Sequence, residues 1–244
     1  MQRLLAPAKL TLSLRVVGTR PDGYHLIDAE MTTLGVADVV EIVETPDSES
    51  VVEYRGEFAE GLVGDGRDLV SRALHHVGRR AKVSVQKNIP HGGGLGGGSA
   101  DCAAILRWAG HLDPLSAASL GADVPFCLIG GRARVRGIGE LIEPLAHRSG
   151  TVTLIVPPFS VSTPAVYAAW DAMGGPTAPG ANDLEPAACS VEPRLVDWKR
   201  RIEDAVGITP TLAGSGATWF VTGNVDDDAP SRLSPARVTT VEHC

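Results

Sequence analysis

The chain has 244 residues, 43% of them hydrophobic and 21% charged, enough for one large domain or two modest ones with real cores. Its formal net charge of −7 excludes a broad basic face for nucleic acid or anionic lipid, and still allows a local pocket for a phosphorylated ligand. Cys102, Cys127, Cys189 and Cys244 are scattered without a C-x-x-C pair, which argues against a structural zinc site or disulfide framework and suits a reducing cytoplasm.

No apolar run approaches the roughly 20 residues needed to cross a bilayer. Lys9 interrupts the first apolar stretch and Arg15 follows, so no signal peptide is expected. Leu10, Leu12, Leu14 and Val16 alternate with Thr11, Ser13, Arg15 and Val17, the period of a strand. Pro21-Asp22-Gly23 supplies turn chemistry, and Met31 to Leu34 and Val39 to Val43 read as two further strands. From Asp68 the period changes. Leu69, Val70, Ala73, Leu74 and Val77 share a helical face, with Arg79 and Arg80 at its C-terminal end. Val83 and Val85 form a short strand leading into Gly92-Gly93-Gly94-Leu95-Gly96-Gly97-Gly98.

Ser99 is the expected N-cap of a helix over Ala100 to Ala109. A short helix at Leu115 to Leu120 follows, then a strand through Ala133, Val135 and Ile138. Ala146 to Gly150 is the best domain boundary, dividing the chain into 1–147 and 148–244. Beyond it come a strand at Val152 to Val156, a helix at Ala165 to Met173, a loop at Gly174 to Asn182, a helix at Leu195 to Val206 and a strand at Trp219 to Thr222. Strands and helices without regular alternation indicate an α+β fold.

Six glycines around one leucine are entropically expensive and let backbone approach a ligand closely. With a helix directly after them, free N–H groups and a positive dipole end make a phosphate site. Ser99 follows Gly98 with no lysine, so the stretch is not a P-loop. Gly92, Gly94 and Gly97 match the dinucleotide pattern G-x-G-x-x-G, but Asp113 lies in a helix–loop stretch instead of closing a strand. A flexible linker remains the plain alternative.

Three further segments bear on this: Pro7-Ala8-Lys9-Leu10-Thr11 leading to Asp22-Gly23-Tyr24-His25, Leu120-Gly121-Ala122-Asp123-Val124-Pro125, and Ala213-Gly214-Ser215-Gly216. With the glycine loop, their order and spacing resemble the GHMP kinase superfamily, and within it the kinases of diphosphocytidyl methylerythritol. The resemblance is weakest in Ser48 to Asp65 and the last twenty residues. It implies a ribosomal-protein-S5-like N-terminal domain, a ferredoxin-like C-terminal domain and an active site between them. It also implies transfer of the ATP γ-phosphoryl group to the substrate's 2-hydroxyl, in a cytoplasmic monomer or homodimer that binds neither nucleic acid nor membrane.

By resemblance, Lys9 and Asp123 are the catalytic pair. Lys87, Pro90, His91, the loop Gly92, Gly93, Gly94, Leu95, Gly96, Gly97, Gly98, then Ser99, Ala100 and Asp68 are the ATP-binding set. Thr11, Tyr24, His25, Tyr167, Gly214 and Ser215 serve the cytidine diphosphate alcohol, with Tyr24 stacking on the base, His25 bonding it and Tyr167 completing a sandwich. Magnesium accompanies ATP, with no ligands assigned.

Plainer readings stand beside these. Asp123 caps a helix, Lys9 or Lys87 is a solvated strand lysine, Tyr24 and His25 end a hairpin, Tyr167 is core, and Gly214 to Gly216 is a turn. Thr11 stands where the family commonly has Asn, Asp68 where Asn-Leu is usual, and the segment before Asp123 is short. Rival functions are a GHMP kinase for homoserine or a mevalonate derivative, a nucleotide-binding protein without catalysis, and, more distantly, a Rossmann oxidoreductase.

Overall fold

The computed structural model describes residues 1–46 and 49–243; Ser48, at the edge of the weakly matching segment, and Cys244 lie outside them. Alternating apolar residues carry the first strand, β1 (Gln2–Thr19), well beyond the stretch the pattern marks. Its partner is a single long strand, β2 (His25–Glu44), where the sequence suggests two. The reason is the ladder: β1 stays paired from Gln2↔Ile42 to Thr19↔His25, carrying β2 past Gly35. The ladder slips between Pro7 and Lys9 and again between Thr11 and Ser13, so Lys9 and Thr11 are bracketed by irregularities that bend the strand and re-aim its side chains.

Around β2 are arranged β3 (Val51–Arg55), β4 (Ala81–Gln86), β5 (Arg132–Gly137) and β6 (Leu141–Pro144). The second half contributes β7 (Gly150–Val156), β8 (Thr211–Leu212), β9 (Trp219–Thr222) and β10 (Arg237–His243). β10 pairs antiparallel with β7 along its length and touches β2 through His243↔Leu34, which links the two halves into one strand path, β3-β4-β2-β10-β7-β9-β8. β3 and β4 are parallel, whereas the other strand pairs are antiparallel, as an α+β architecture requires.

The helices are α1 (Leu69–His76), α2 (Gly97–Trp108), α3 (Pro114–Ala117), α4 (Val124–Ile129), α5 (Thr163–Ala172), α6 (Glu185–Val191), α7 (Arg194–Val206) and α8 (Ala229–Arg232). None is long and apolar enough to cross a membrane. α2 packs on β1 and β2 with α1 and α4 beside it, burying Ala100 and the run Cys102 to Leu106. In α7 the buried Leu195, Trp198 and Ile202 form the apolar stripe that the sequence periodicity marks. Helix α1 ends at His76, before Arg79 and Arg80, and Ile138 lies beyond the end of β5.

The start of α2 corrects another expectation. Ser99 does not cap it: the helix begins at Gly97, its cap is Gly96 in the left-handed region at φ +70°, and no side chain bonds the first turn. Glycine tolerates that conformation without a β-carbon clash, so the chain can turn into the helix three residues sooner than a serine cap would allow.

Beneath this entrance lies a buried charge cluster. Lys87, 2% exposed at the end of β4, donates to Asp38 of β2 and, at 2.6 Å, to Asp101 of α2. Asp38 also accepts from the backbone N–H groups of Asn88 and Ile89 at 2.5 and 2.8 Å. Burial raises the Asp101 carboxyl above its ordinary range against the pull of Lys87. Asp38→Ala takes one of the two carboxylates from the buried ammonium and strands two amides, so it should cost about 3–5 kcal/mol of stability by urea unfolding. A loss below about 1 kcal/mol would refute the cluster as the anchor of the loop.

Candidate active site

The site is assembled around Lys9. Its side chain is 6% exposed, and its Nζ lies 3.2 Å from Asp123 Oδ2 and 3.2 Å from Thr11 Oγ1. An ammonium taken so far from water needs such partners. The Lys9 backbone N–H donates to the Leu95 carbonyl at 3.0 Å, which ties β1 to the glycine loop. Asp123 occupies the N-cap position of α4, but its side chain makes no capping bond; about a third exposed, it turns toward Lys9 and the cleft.

Packing explains part of the glycine run. A β-carbon on Gly96 would sit 2.7 Å from Lys9 Cγ, and one on Gly94 would sit 2.6 Å from the Ala213 carbonyl oxygen. Both residues also have positive φ, +70° and +78°. The loop is therefore stripped of side chains to lie over the Lys9 stem and against the 213–216 turn as well as to admit a ligand. Leu95 is its anchor, buried in a small cluster with Ala8, Leu10 and Ile89. Ala100 likewise faces the core.

A cleft of about 240 Å³ brings together Lys9, Thr11, His25, Gly94, Ser99, Asp123, Tyr167, Gly214 and Ser215. These residues lie up to 206 positions apart in sequence (215 − 9). Beside the start of α2, a second cavity of about 200 Å³ takes Asp68, Lys87, His91, Gly97 and Gly98, with Tyr54, Leu62, Val63 and Ile89 as its apolar walls. Asp68 caps α1 through the Ser71 N–H at 2.8 Å and accepts from the Tyr54 hydroxyl at 2.9 Å. Pro90, His91 and Gly93 border a third, open depression, which runs to Phe58, Phe159 and Arg237. Gly92 packs against Ser160, where a β-carbon would come within 2.8 Å of the serine Cβ.

The aromatic residues are arranged unequally. His25 stacks on Tyr167 with ring centroids 4.6 Å apart and planes 28° apart, and its Nε2 bonds Asp171 Oδ1 at 2.8 Å. Burial pushes the Tyr167 hydroxyl up to about 12, so it stays protonated. Tyr24 lies outside the cleft lining, 60% exposed at the β1–β2 turn, with the Arg20 guanidinium 5.9 Å from its ring centroid.

Several positioning groups escape sequence reading. Buried Asn182 donates from Nδ2 to the carbonyls of Leu212 and Gly214 at 2.8 and 2.7 Å, holding the second glycine turn against the cleft. Asp183 binds Arg15 at 2.7 Å and the Val16 N–H at 3.1 Å, fixing the same loop to β1. The Thr163 and Ser215 hydroxyls share a 2.6 Å hydrogen bond between α5 and that turn. The available signal was Pro186 in the first turn of α6, which marks a helix start just after Asn182-Asp183.

Among the described residues, no group of three or more His, Cys, Asp or Glu could hold a metal ion. Lys9 has one N–H beyond its two partners. Beside it stand a carboxylate and an uncapped helix start, the parts needed to bind phosphate and take a proton from a hydroxyl.

Comparison with known proteins bears on the whole chain. The family described as GHMP kinases N terminal domain matches residues 68–131. A 4-diphosphocytidyl-2-C-methyl-D-erythritol kinase from Paracoccus denitrificans (strain Pd 1222) is 39% identical, with 97% of this chain and 92% of the relative covered. One from Rhizobium meliloti (strain 1021) is 36% identical over 88% of this chain and 84% of its own. A crystal structure of 4-(cytidine 5'-diphospho)-2C-methyl-D-erythritol kinase superposes with a TM-score of 0.76 at 29% identity, covering 99% of each chain. The Methanococcus jannaschii mevalonate kinase, at 12% identity and a TM-score of 0.65 over 100% and 98% of the two chains, shares the fold alone. With more than a third of its residues identical across nearly the full length of such relatives, the chain belongs to the 4-diphosphocytidyl-2-C-methyl-D-erythritol kinase family of the GHMP kinases.

Proposed function

We propose that the protein transfers the γ-phosphoryl group of ATP to the 2-hydroxyl of 4-diphosphocytidyl-2-C-methyl-D-erythritol, with Lys9 and Asp123 as its catalytic residues. The observation that carries this reading is the 3.2 Å Lys9–Asp123 pair at the junction of the glycine loop and the cleft. Phosphoryl transfer passes through a loose transition state, so positioning and charge stabilisation are what the protein must supply. Asp123 orients the acceptor hydroxyl and takes its proton as the oxygen bonds to the γ-phosphorus and the bond to the ADP oxygen breaks. Lys9 keeps that carboxylate ionised and turns its remaining N–H toward the transferred group.

ATP fits the two spaces beside α2. Its phosphates meet the uncapped first turn at Gly97, Gly98 and Ser99, and its flat base fits the apolar cavity between Tyr54 and Ile89. Lys87 serves that cavity through its stem, since its ammonium is bonded to Asp38 and Asp101. Magnesium takes few protein ligands beside substrate phosphates, and it would supply charge neutralisation there, with Ser99 and Asp123 among the oxygen-bearing side chains that line the cleft.

The cytidine end occupies the other wall, where His25 and Tyr167 line the cleft and Tyr24 presents an exposed ring that can close over a base. We read the lobes as residues 1–147 and 148–244, and the setting as the cytoplasm. Acceptors of the mevalonate or homoserine type are not favoured: the solved mevalonate and homoserine kinases are 12–17% identical to this chain.

Two predictions test the reading. Lys9→Ala and Asp123→Ala should each lower kcat by about 10²–10⁴-fold, with ATP binding by calorimetry unchanged. Phosphorylated product, followed by mass spectrometry, at the wild-type rate in either variant would exclude the catalytic pair. Gly96→Ala pushes a methyl group against Lys9 Cγ and should cost about 10–100-fold in kcat. Wild-type turnover in that variant would show that the loop does not set the Lys9 side chain.

A further inference from the structure

His25 is mounted on α5 from three sides. Tyr167, Trp170 and Asp171 stand at positions i, i+3 and i+4 of the helix and therefore share one face. Tyr167 lies under the imidazole with 4.6 Å between centroids, Trp170 meets it edge-on at 5.6 Å and 85°, and Asp171 Oδ1 takes Nε2 at 2.8 Å. Two of these contacts are apolar and fix the plane of the ring. The third is polar, and it decides which nitrogen holds the proton.

Asp171 is an unusual choice for its place. It is the last residue but one of α5, where the helix dipole disfavours an anion, and its side chain is 52% exposed. Neither helix propensity nor core packing calls for a carboxylate there. Its bond to His25 joins α5 to the first residue of β2, across 146 positions of sequence, at the rim of the cleft that holds Asp123.

We propose that Asp171 is a positioning residue for base recognition, fixing the His25 imidazole as the Nε2–H tautomer so that Nδ1 faces the ligand as an acceptor. An ionised carboxylate can only accept, so Nε2 must carry the hydrogen; in the neutral ring Nδ1 is then a lone pair. Such an acceptor pairs with the exocyclic amine of cytosine and opposes the carbonyl that uracil carries in the same place. This rests on the reading of the cleft as a cytidine diphosphate site, and it adds the group that sets its preference for an amino-bearing pyrimidine.

The test compares Asp171→Ala, His25→Ala and the double variant, with the cytidine substrate and its uridine analogue. Asp171→Ala should raise KM for the cytidine substrate roughly tenfold while kcat and the KM for ATP stay within about twofold. It should also shrink the ratio of kcat/KM between the cytidine and uridine substrates. Because Asp171 acts through His25, the double variant should be no worse than His25→Ala alone. An unchanged KM in Asp171→Ala, beside a raised one in His25→Ala, overturns this inference and leaves the function standing. Independent, multiplying effects in the double variant overturn it too. If His25→Ala itself leaves KM unchanged, base recognition by this histidine falls, and the role of Asp171 falls with it.

Discussion

The structure depends on burying a lysine ammonium next to a glycine-rich loop. Lys9 sits in the interior of a hairpin, where an unpaired charge costs several kcal/mol in solvation. The surroundings are arranged to meet that cost without cancelling the charge. Two slips in the β1–β2 ladder bracket the Lys9–Thr11 segment, and the absence of a side chain at Gly96 lets the loop lie on the lysine stem. Asp123 and Thr11 each take one donor, which leaves the third for a ligand. Sequence, backbone irregularity and electrostatics converge on one nitrogen atom.

Lys87 shows what the same side chain does when the charge is fully matched. It lies between two carboxylates that are 0% and 1% exposed, and it joins β2, β4 and α2 beneath the loop. The partner of Lys9 is 34% exposed and opens on the cleft. A lysine clamped by two buried anions is well made for holding backbone in place. A lysine with one partly solvated anion keeps a field that acts on whatever enters the cleft. The division of labour follows from burial and stoichiometry: the glycine loop has a rigid floor, and beside it a wall whose charge stays open to the cleft.

How much of this was legible in the sequence follows the range of the interactions. Local signals were sound: the alternation of β1, the periodicity of α1 and α7, and a helix following the glycines. Where a decision needed partners, local reading failed. A continuous β2 is held by β1, and the α2 entrance lies three residues earlier than a serine cap suggests because the loop is pinned by Leu95 and by the 213–216 turn. Strand β10 went unread because its pairing is with β7 and β2, far back in the chain. The buried side chains of Asp38, Asn182 and Asp183 carry hydrogen bonds to groups 49, 30 and 168 positions away, and nothing in their neighbours announces it. The glycine run predicts room for a ligand, whereas Gly94 and Gly96 also make room for the protein's own atoms.

The departures from the family pattern can be weighed on the same terms. Thr11 offers a hydroxyl where an amide is common, and that hydroxyl accepts from Lys9 as an amide oxygen would. What is lost is an amide donor toward the cleft, not a partner of the ammonium. Asp68 exchanges an amide for a carboxylate, yet its Oδ1 is engaged by the Ser71 N–H and the Tyr54 hydroxyl, work that needs only an acceptor. The short segment before α4 still delivers Asp123 to Lys9 at 3.2 Å. Each change lies at one of the two cavities, and none removes the ammonium, the carboxylate or the uncapped helix start. On the proposed mechanism, variation of this kind tunes affinity and selectivity, because the chemistry of transfer is confined to the few atoms around Lys9.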